Sequence, residues 1–436
     1  MARKQRVSRR QERKAAASAH AAERARRRMF GTVAGVVVGL GIGLAWWRSQ
    51  RPPEPVLPAA PGSLDAALVT LVDEHVEKVR AEPSSVEARG TLCLVYEANH
   101  LWAEGARCFE QVAGLAPGEP LWALHHALCL RENGDLGRAV EIIRPLGNAH
   151  PGQAEIQDRV GQLLLEIGDH DGAATAYQRE VTAAPNIPLG HAGLGDARLR
   201  AGAVDDAIRH LERAVELDPR YAAPRLALGL AYRAAGRMDD AERELALAQG
   251  ARRANLRDSL SQRLDGYIRS SQLRQQKGRE LLTAGRLDEA EALLSTLIRD
   301  EPDRLDARLL LADVHLRQGR GDDAVALLTE ARALDPGHRA STRLATALLS
   351  LRRSSEALAE TNRILTKAPS DVAAHGIRAR ALVALGRDRE ALSSFESALL
   401  GSSDVSLHRA HGEALQRLGR NSEARVAFAK AEGRTP

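Results

Sequence analysis

The sequence predicts an all-α fold: an α-solenoid of helix-turn-helix repeats preceded by one N-terminal transmembrane helix. Three observations carry that expectation. Ala, Leu and Arg abound while Phe, Trp and Tyr make up only 3% of 436 residues, a composition that favours helices over sheets built from aromatic and β-branched residues. Pro, Gly and Ala each recur at a constant 34-residue step. Residues 30–47 form an eighteen-residue run without an ionisable side chain.

Residues 1–28 form a basic arm, with eleven Lys or Arg against only Glu12 and Glu23. The net charge of +5 therefore belongs to the arm, and the remainder of the chain is acidic by about 4 charges, which gives no electrostatic case for nucleic-acid binding. The span that follows, residues 29–47, would cover roughly 27 Å as a helix, near the thickness of a bilayer core. Trp46 and Trp47 lie where an interfacial belt would sit. The preceding cationic block places the N-terminus in the cytoplasm and everything after Arg48 outside it. A cleaved export signal is the alternative, since Arg27-Arg28-Met29-Phe30 and Gly43-Leu44-Ala45 have the look of a twin-arginine signal and a small-x-small cleavage site. Gly31, Gly35, Gly39 and Gly43 share one face of the span, a packing surface through which two copies would associate in lipid.

Residues 48–63 hold five prolines between Arg51 and Gly62 and read as a semi-rigid stalk. A leading helix is expected over 64–82, with Ser63 as its N-cap and Leu64, Leu68, Leu71 and Val72 on one face. The periodic region then runs over 83–250 and 271–436. Pro83, Pro117, Pro151, Pro185 and Pro219 keep the 34-residue step, as do Gly134, Gly168, Gly202 and Gly236, and Ala139, Ala173, Ala207 and Ala241. Glycine ends one helix, a short turn starts the next, alanine permits close helix contact, and proline stands at the join between repeats. Ten repeats are expected, beginning near residues 86, 120, 154, 188, 222, 271, 305, 339, 372 and 405, the eighth being one residue short. Residues 251–270 interrupt the register with a polar, Arg- and Ser-rich segment expected to be helical.

Leu228-Gly229, Tyr232, Gly236, Ala241 and Ala248 in one repeat, and Val160-Gly161, Ala173, Tyr177 and Pro185 in another, give this region its likeness. It resembles the tetratricopeptide repeat family, and specifically a membrane-anchored bacterial member. The resemblance implies a stack of helical hairpins whose first helices line a concave surface that grips a peptide or a partner protein. Family members that clamp acidic chaperone C-termini use Lys, Arg and Asn at positions occupied here by Gly90, Leu94, Asp158, Gln162, Ala192 and Asp196, so that mode is disfavoured.

Groove positions implied by the resemblance in the second half are Gln275, Arg279, Asp313, Arg343 and Arg380, whose guanidiniums suit an acidic segment. In the first half Leu189, Leu199, Leu226 and Leu230 suggest an apolar floor. No catalytic residue, metal ligand set or cofactor motif is legible: the three cysteines, Cys93, Cys108 and Cys129, form no CxxC, and His125 and His126 point about 100° apart on a helix. The cysteines are read as small buried residues at helix contacts, with a pairing among them left open. The expected function is a non-enzymatic scaffold or adaptor of the bacterial inner membrane and envelope, its repeats outside the cytoplasm and its partner a protein or peptide. The alternatives are an exported binder of glycan or cell-wall material and a regulatory subunit of an enzyme complex.

Overall fold

A computed structural model describes residues 52–248, 256–335, 337–400 and 404–433. The basic arm, the span at 29–47 and its glycine face lie outside the described residues. Among the described residues no helix is long and apolar enough to cross a membrane.

The described chain is helical throughout, without strands. Helix α1 (Ala66–Ala81) is followed by five hairpins: α2 (Val86–Ala98) with α3 (Trp102–Leu115), α4 (Pro120–Glu132) with α5 (Leu136–Ala149), α6 (Ala154–Glu166) with α7 (His170–Ala183), α8 (Pro188–Arg200) with α9 (Val204–Leu217), and α10 (Ala222–Ala234) with α11 (Met238–Leu247). After the short α12 (Ser259–Arg263) come α13 (Ser271–Thr283) with α14 (Leu287–Asp300), α15 (Leu305–Arg317) with α16 (Gly321–Leu334), α17 (Arg339–Ser350) with α18 (Ser354–Lys367), α19 (Val372–Ala384) with α20 (Asp388–Ala398), and α21 (Val405–Arg417) with α22 (Asn421–Ala431). The described residues divide into two compact units, one formed by those in 52–59 and 72–262 and the other by those in 60–71 and 263–433.

Within each unit, consecutive helices pack against one another, and the first helices of neighbouring repeats also touch, as α6 does α8 and α13 does α15. The first helix of each repeat is called helix A below and the second helix B. A–A contact between neighbours puts the A helices on the tighter side of each stack.

The periodic glycines have two separate physical jobs. Gly134, Gly168, Gly202, Gly236, Gly285, Gly319, Gly386 and Gly419 follow the A helices with φ between +72° and +88°, the left-handed conformation that closes a helix C-terminus. Two repeats lack the glycine, and His100 and Arg352 are forced to φ +59° and +61° in its place. Both His100→Gly and Arg352→Gly are expected to stabilise the chain by about 1 kcal/mol, read as an upward shift in thermal midpoint. The second glycine register sits inside helix A, facing a large side chain sixteen residues later on helix B. A Cβ on Gly161 would fall 2.5 Å from the Tyr177 ring, on Gly195 2.5 Å from Leu211, on Gly229 2.7 Å from Leu245, and on Gly412 2.7 Å from Phe428. These glycines let the two helices of a hairpin approach closely.

The eighth repeat is short because its A helix, α17, has 12 residues where the others have 13. A further register escaped the sequence reading. The fourth residue of helix A reaches back six positions to the carbonyl of the inter-repeat proline: Arg89 Nη2 to Pro83 at 3.0 Å, His191 Nε2 to Pro185 at 3.2 Å, Arg225 Nη2 to Pro219 at 2.9 Å and His375 Nε2 to Pro369 at 2.8 Å. Residue type varies among Arg and His, so only the shared donor chemistry repeats, and composition-level periodicity does not reveal it.

Four expectations need correction. The Ser63 hydroxyl donates to the Ala60 carbonyl instead of capping a helix, and α1 begins after Asp65, whose carboxylate accepts the Ser271 amide at 2.7 Å. The described part of the Pro-rich stretch is not a free stalk but lies along α2 and α3. Its carbonyls at Pro53, Glu54 and Val56 accept from Arg89 Nη2 (2.7 Å), Gln111 Nε2 (3.0 Å) and the Tyr96 hydroxyl (2.5 Å), and the Ala59 amide donates to Glu104 (3.1 Å). Extended proline-rich backbone makes no hydrogen bonds of its own, so these carbonyls are available to side chains. Cys93 and Cys108 are not merely small buried residues: they are disulfide-bonded, joining α2 to α3, while Cys129 is a buried thiol. Finally, the described part of 251–270 contains only the five-residue α12 and a 3₁₀ turn at Leu264–Tyr267, because the chain is occupied in other contacts.

Candidate functional site

Those contacts lie on the A helices of the second and third repeats, with Glu97 of the first standing behind them. The Leu256 amide donates to Asp158 Oδ2 at 3.0 Å, and Arg159 Nη2 donates to the Leu256 carbonyl at 3.5 Å, so adjacent side chains of α6 hold both polar groups of one peptide unit's neighbours. Gln162, one turn on, donates to the same Asp158 oxygen at 2.8 Å and fixes it. Two residues further, Asp258 caps α12: its Oδ1 accepts the amides of Leu260 and Ser261, each at 2.9 Å, and its Oδ2 accepts the Ser261 hydroxyl at 2.7 Å. The same Oδ1 lies 3.1 Å from His125 Nε2 on α4, and His125 Nδ1 lies 2.6 Å from Glu97 Oε2 on α2.

His125 is wholly buried, and Glu97, Asp258, Leu260 and Ser261 are nearly so. Both ring nitrogens face carboxylate oxygens, an arrangement that calls for two N–H donors and hence the imidazolium. Burial alone would lower the His125 pKa, but the Glu97 and Asp258 carboxylates override it and hold the ring up at about 9. Burial likewise works against the Asp258 carboxylate, and hydrogen bonds from His125 and Ser261 overcome this and keep it well below the usual carboxylate range. The A helices of repeats 2 and 3 thus hold a segment of the same chain 97 to 133 residues away.

Beside this filled stretch, α8 and α10 border an open cleft of about 260 Å³ lined by Ala192, Asp196, Arg200, Tyr221, Leu226 and Leu230. Leu226 and Leu230 are 44% and 36% exposed, as an apolar floor requires, whereas Leu199 packs into the core beside Leu211 and Leu228, and Leu189 is half-buried. Asp196 and Arg200 pair at 3.1 Å along its rim.

In the second unit the expected groove residues lie on the A helices, with Arg279 exposed and Gln275 half-buried. The two arginines of the expected lane do not stand free. Arg343 pairs with Asp313, and Arg380 donates to the Ser406 hydroxyl at 2.7 Å with Asp404 at 3.9 Å. Each therefore links one A helix to the A helix or helix cap of an adjoining repeat. These pairs are solvent-exposed and worth about 0–1 kcal/mol, so an incoming carboxylate would compete for them at small cost.

Tetratricopeptide repeat profiles match residues 198–260, 276–339 and 319–381. Residues 198–260 and 276–381 are tetratricopeptide repeats. The hairpins, glycine caps and A–A contacts described above repeat the same pattern in the neighbouring described residues. Among solved structures it is similar to MamA (41-end) from Desulfovibrio magneticus RS-1, at 21% identity over 37% of this chain and 93% of that one, with a TM-score of 0.34. It is also similar to MamA MSR-1, at 25% identity over 37% and 95% with a TM-score of 0.32. MamA AMB-1 is a third such structure, at 27% identity over 36% and 95%, also with a TM-score of 0.32. No curated protein matches the sequence. Tetratricopeptide arrays serve as protein–protein interaction scaffolds, and the A-helix faces of this array are the surfaces available for that use.

Proposed function

We propose that the protein is a membrane-anchored scaffold or adaptor of a bacterial envelope, which captures a peptide or a partner protein on the A-helix faces of its tetratricopeptide repeats. The observation that carries this reading is the segment at Leu256–Ser261: the A helices of repeats 2 and 3 already hold a peptide segment through backbone and carboxylate contacts. The open cleft at Leu226 and Leu230 extends the same face within the first unit into a stretch with no such occupant among the described residues, and in the second unit the exposed Arg279 lies on an A helix of its own.

Anchoring rests on the sequence alone. The apolar run at 29–47, behind eleven cationic residues, supports a single span with the N-terminus in the cytoplasm and the repeats outside it. A protease added to intact spheroplasts is then expected to degrade a C-terminal tag; a tag protected until lysis would contradict that topology. The glycine face supports self-association, and the double change Gly35→Leu and Gly39→Leu is expected to reduce dimer signal several-fold in a membrane reporter, with unchanged signal excluding it.

The scaffold reading is tested by immobilising the full-length chain and challenging it with solubilised envelope proteins and, separately, with purified cell-wall glycan. Saturable capture of a defined protein with no retention of glycan is expected. Retention of glycan alone would replace the scaffold with a cell-wall-binding module.

A further inference from the structure

The segment that interrupts the repeats makes contacts of the kind a bound ligand makes. Its backbone is read at Leu256 by Asp158 and Arg159, its one carboxylate is read by His125, and its apolar side chain at Leu260 is buried. None of these groups comes from a neighbouring turn of the same repeat: Asp258 and His125 are 133 residues apart in sequence. We infer that residues 256–261 are a displaceable intramolecular ligand that closes the A-helix face of repeats 2 and 3, and that the partner of this face is a protein segment presenting the same chemistry. This inference rests on the scaffold reading above and names the partner's recognition motif.

The chemistry required of the partner follows from the seat. Glu97 and His125 together present an imidazolium whose outer N–H needs an anionic acceptor, so the incoming segment must supply a carboxylate there. That carboxylate must also cap the turn that follows it, because Asp258 spends its remaining lone pairs on the amides of Leu260 and Ser261 and on the Ser261 hydroxyl. Asp satisfies this geometry with its short side chain. A leucine two residues later fills the site of Leu260, and a backbone amide and carbonyl two residues earlier meet Asp158 and Arg159. The motif is therefore an apolar residue, any residue, Asp, any residue, Leu, Ser, in an internal stretch of chain rather than at a C-terminus.

A tethered ligand competes at an effective concentration in the millimolar range, so the seated segment sets a threshold that a free partner must overcome. The apparent affinity for an outside segment is reduced by the fraction of molecules in which the face is open. Release of the segment would raise binding without any change to the face itself.

The test uses the full-length chain and a fluorescein-labelled peptide of residues 254–265. Anisotropy is expected to show at least tenfold tighter binding to the chain carrying Asp258→Ala and Leu260→Ala than to the unaltered chain. Binding to that variant is expected to fall at least tenfold when the peptide's own Asp is replaced by Asn, or when His125→Gln is added to the chain. Amide hydrogen exchange, a readout independent of the release variant's folding, is measured in parallel on the unaltered chain, where millimolar peptide is expected to accelerate exchange at Leu260 and Ser261. Equal affinity for released and unaltered chains, or exchange at those two amides that does not respond to peptide, would overturn the inference. Either failure leaves the capture experiment of the preceding section unaffected, so the two readings fail separately.

Discussion

Gly161→Val is expected to destabilise the first unit by about 3 kcal/mol, lowering its thermal midpoint by roughly 6–12 °C in circular dichroism. The reason is steric. The added Cβ alone would stand 2.5 Å from the Tyr177 ring, which is fully buried between α6 and α7 and has no room to retreat. Glycine within a helix ordinarily costs about 1 kcal/mol relative to alanine, so a glycine kept there signals a contact that outweighs propensity. The control is Gly114→Ala near the end of α3, where a Cβ would meet nothing within 4 Å and this smaller change is expected to raise stability by up to about 1 kcal/mol. If both substitutions stabilised the chain, close hairpin packing at Gly161 would be wrong.

His125→Leu is expected to cost about 3–5 kcal/mol, because it leaves the Glu97 and Asp258 carboxylates facing an apolar side chain with their charge uncompensated. The companion expectation concerns pH. The His125 pKa is held at about 9 in the folded chain, against about 6.5 for an unperturbed imidazole. A raised folded-state pKa means that the stabilisation is fully present below about pH 6.5 and is lost as pH rises through about 9, with a ceiling near 3 kcal/mol. Thermal midpoints of the unaltered chain are therefore expected to decline between pH 7 and pH 9.5, and the His125→Gln chain is expected to show a flatter profile over that interval. An identical pH dependence in the two proteins would remove the imidazolium from the account.

The repeat architecture was legible because each element that repeats is a backbone necessity. Gly134, Gly168, Gly202 and Gly236 adopt a positive φ that other residues resist, and the inter-repeat prolines stand where a helix must be broken, so both types recur visibly at the 34-residue step. The helix starts at Val86, Pro120, Ala154, Pro188 and Ala222, and again at Ser271, Leu305 and Arg339, keep that step, and Val372 and Val405 each come one residue early. The expected groove positions Gln275, Arg279, Asp313, Arg343 and Arg380 do lie on A helices, but their pairing was hidden, since Arg343 with Asp313 and Arg380 with Ser406 depend on the rotation of one repeat against the next.

The seat of Asp258 left no trace in the sequence at all. Glu97, His125, Asp158 and Asp258 are common residue types at unrelated spacings, and only the fold brings them together. The helical reading of 251–270 holds among the described residues over Ser259–Tyr267 and not before it, where side chains of α4 and α6 take the backbone of Leu256 and the carboxylate of Asp258. The docking of the Pro-rich stretch, expected as a semi-rigid stalk, is not legible in the sequence because Arg89, Gln111 and Tyr96, which bind it, look like ordinary repeat residues.

The central claim is that recognition runs through the A-helix faces. It is tested most directly by placing a photo-crosslinking amino acid at Leu226, Leu230 or Arg279 on those faces and, as controls, at the exposed helix B residues Arg209 and Arg299 in the full-length chain in its native host. Adducts with a defined protein from the first three positions and none from the two controls are the result the account predicts. Adducts of equal yield from Arg209 and Arg299, or from those positions alone, would contradict it.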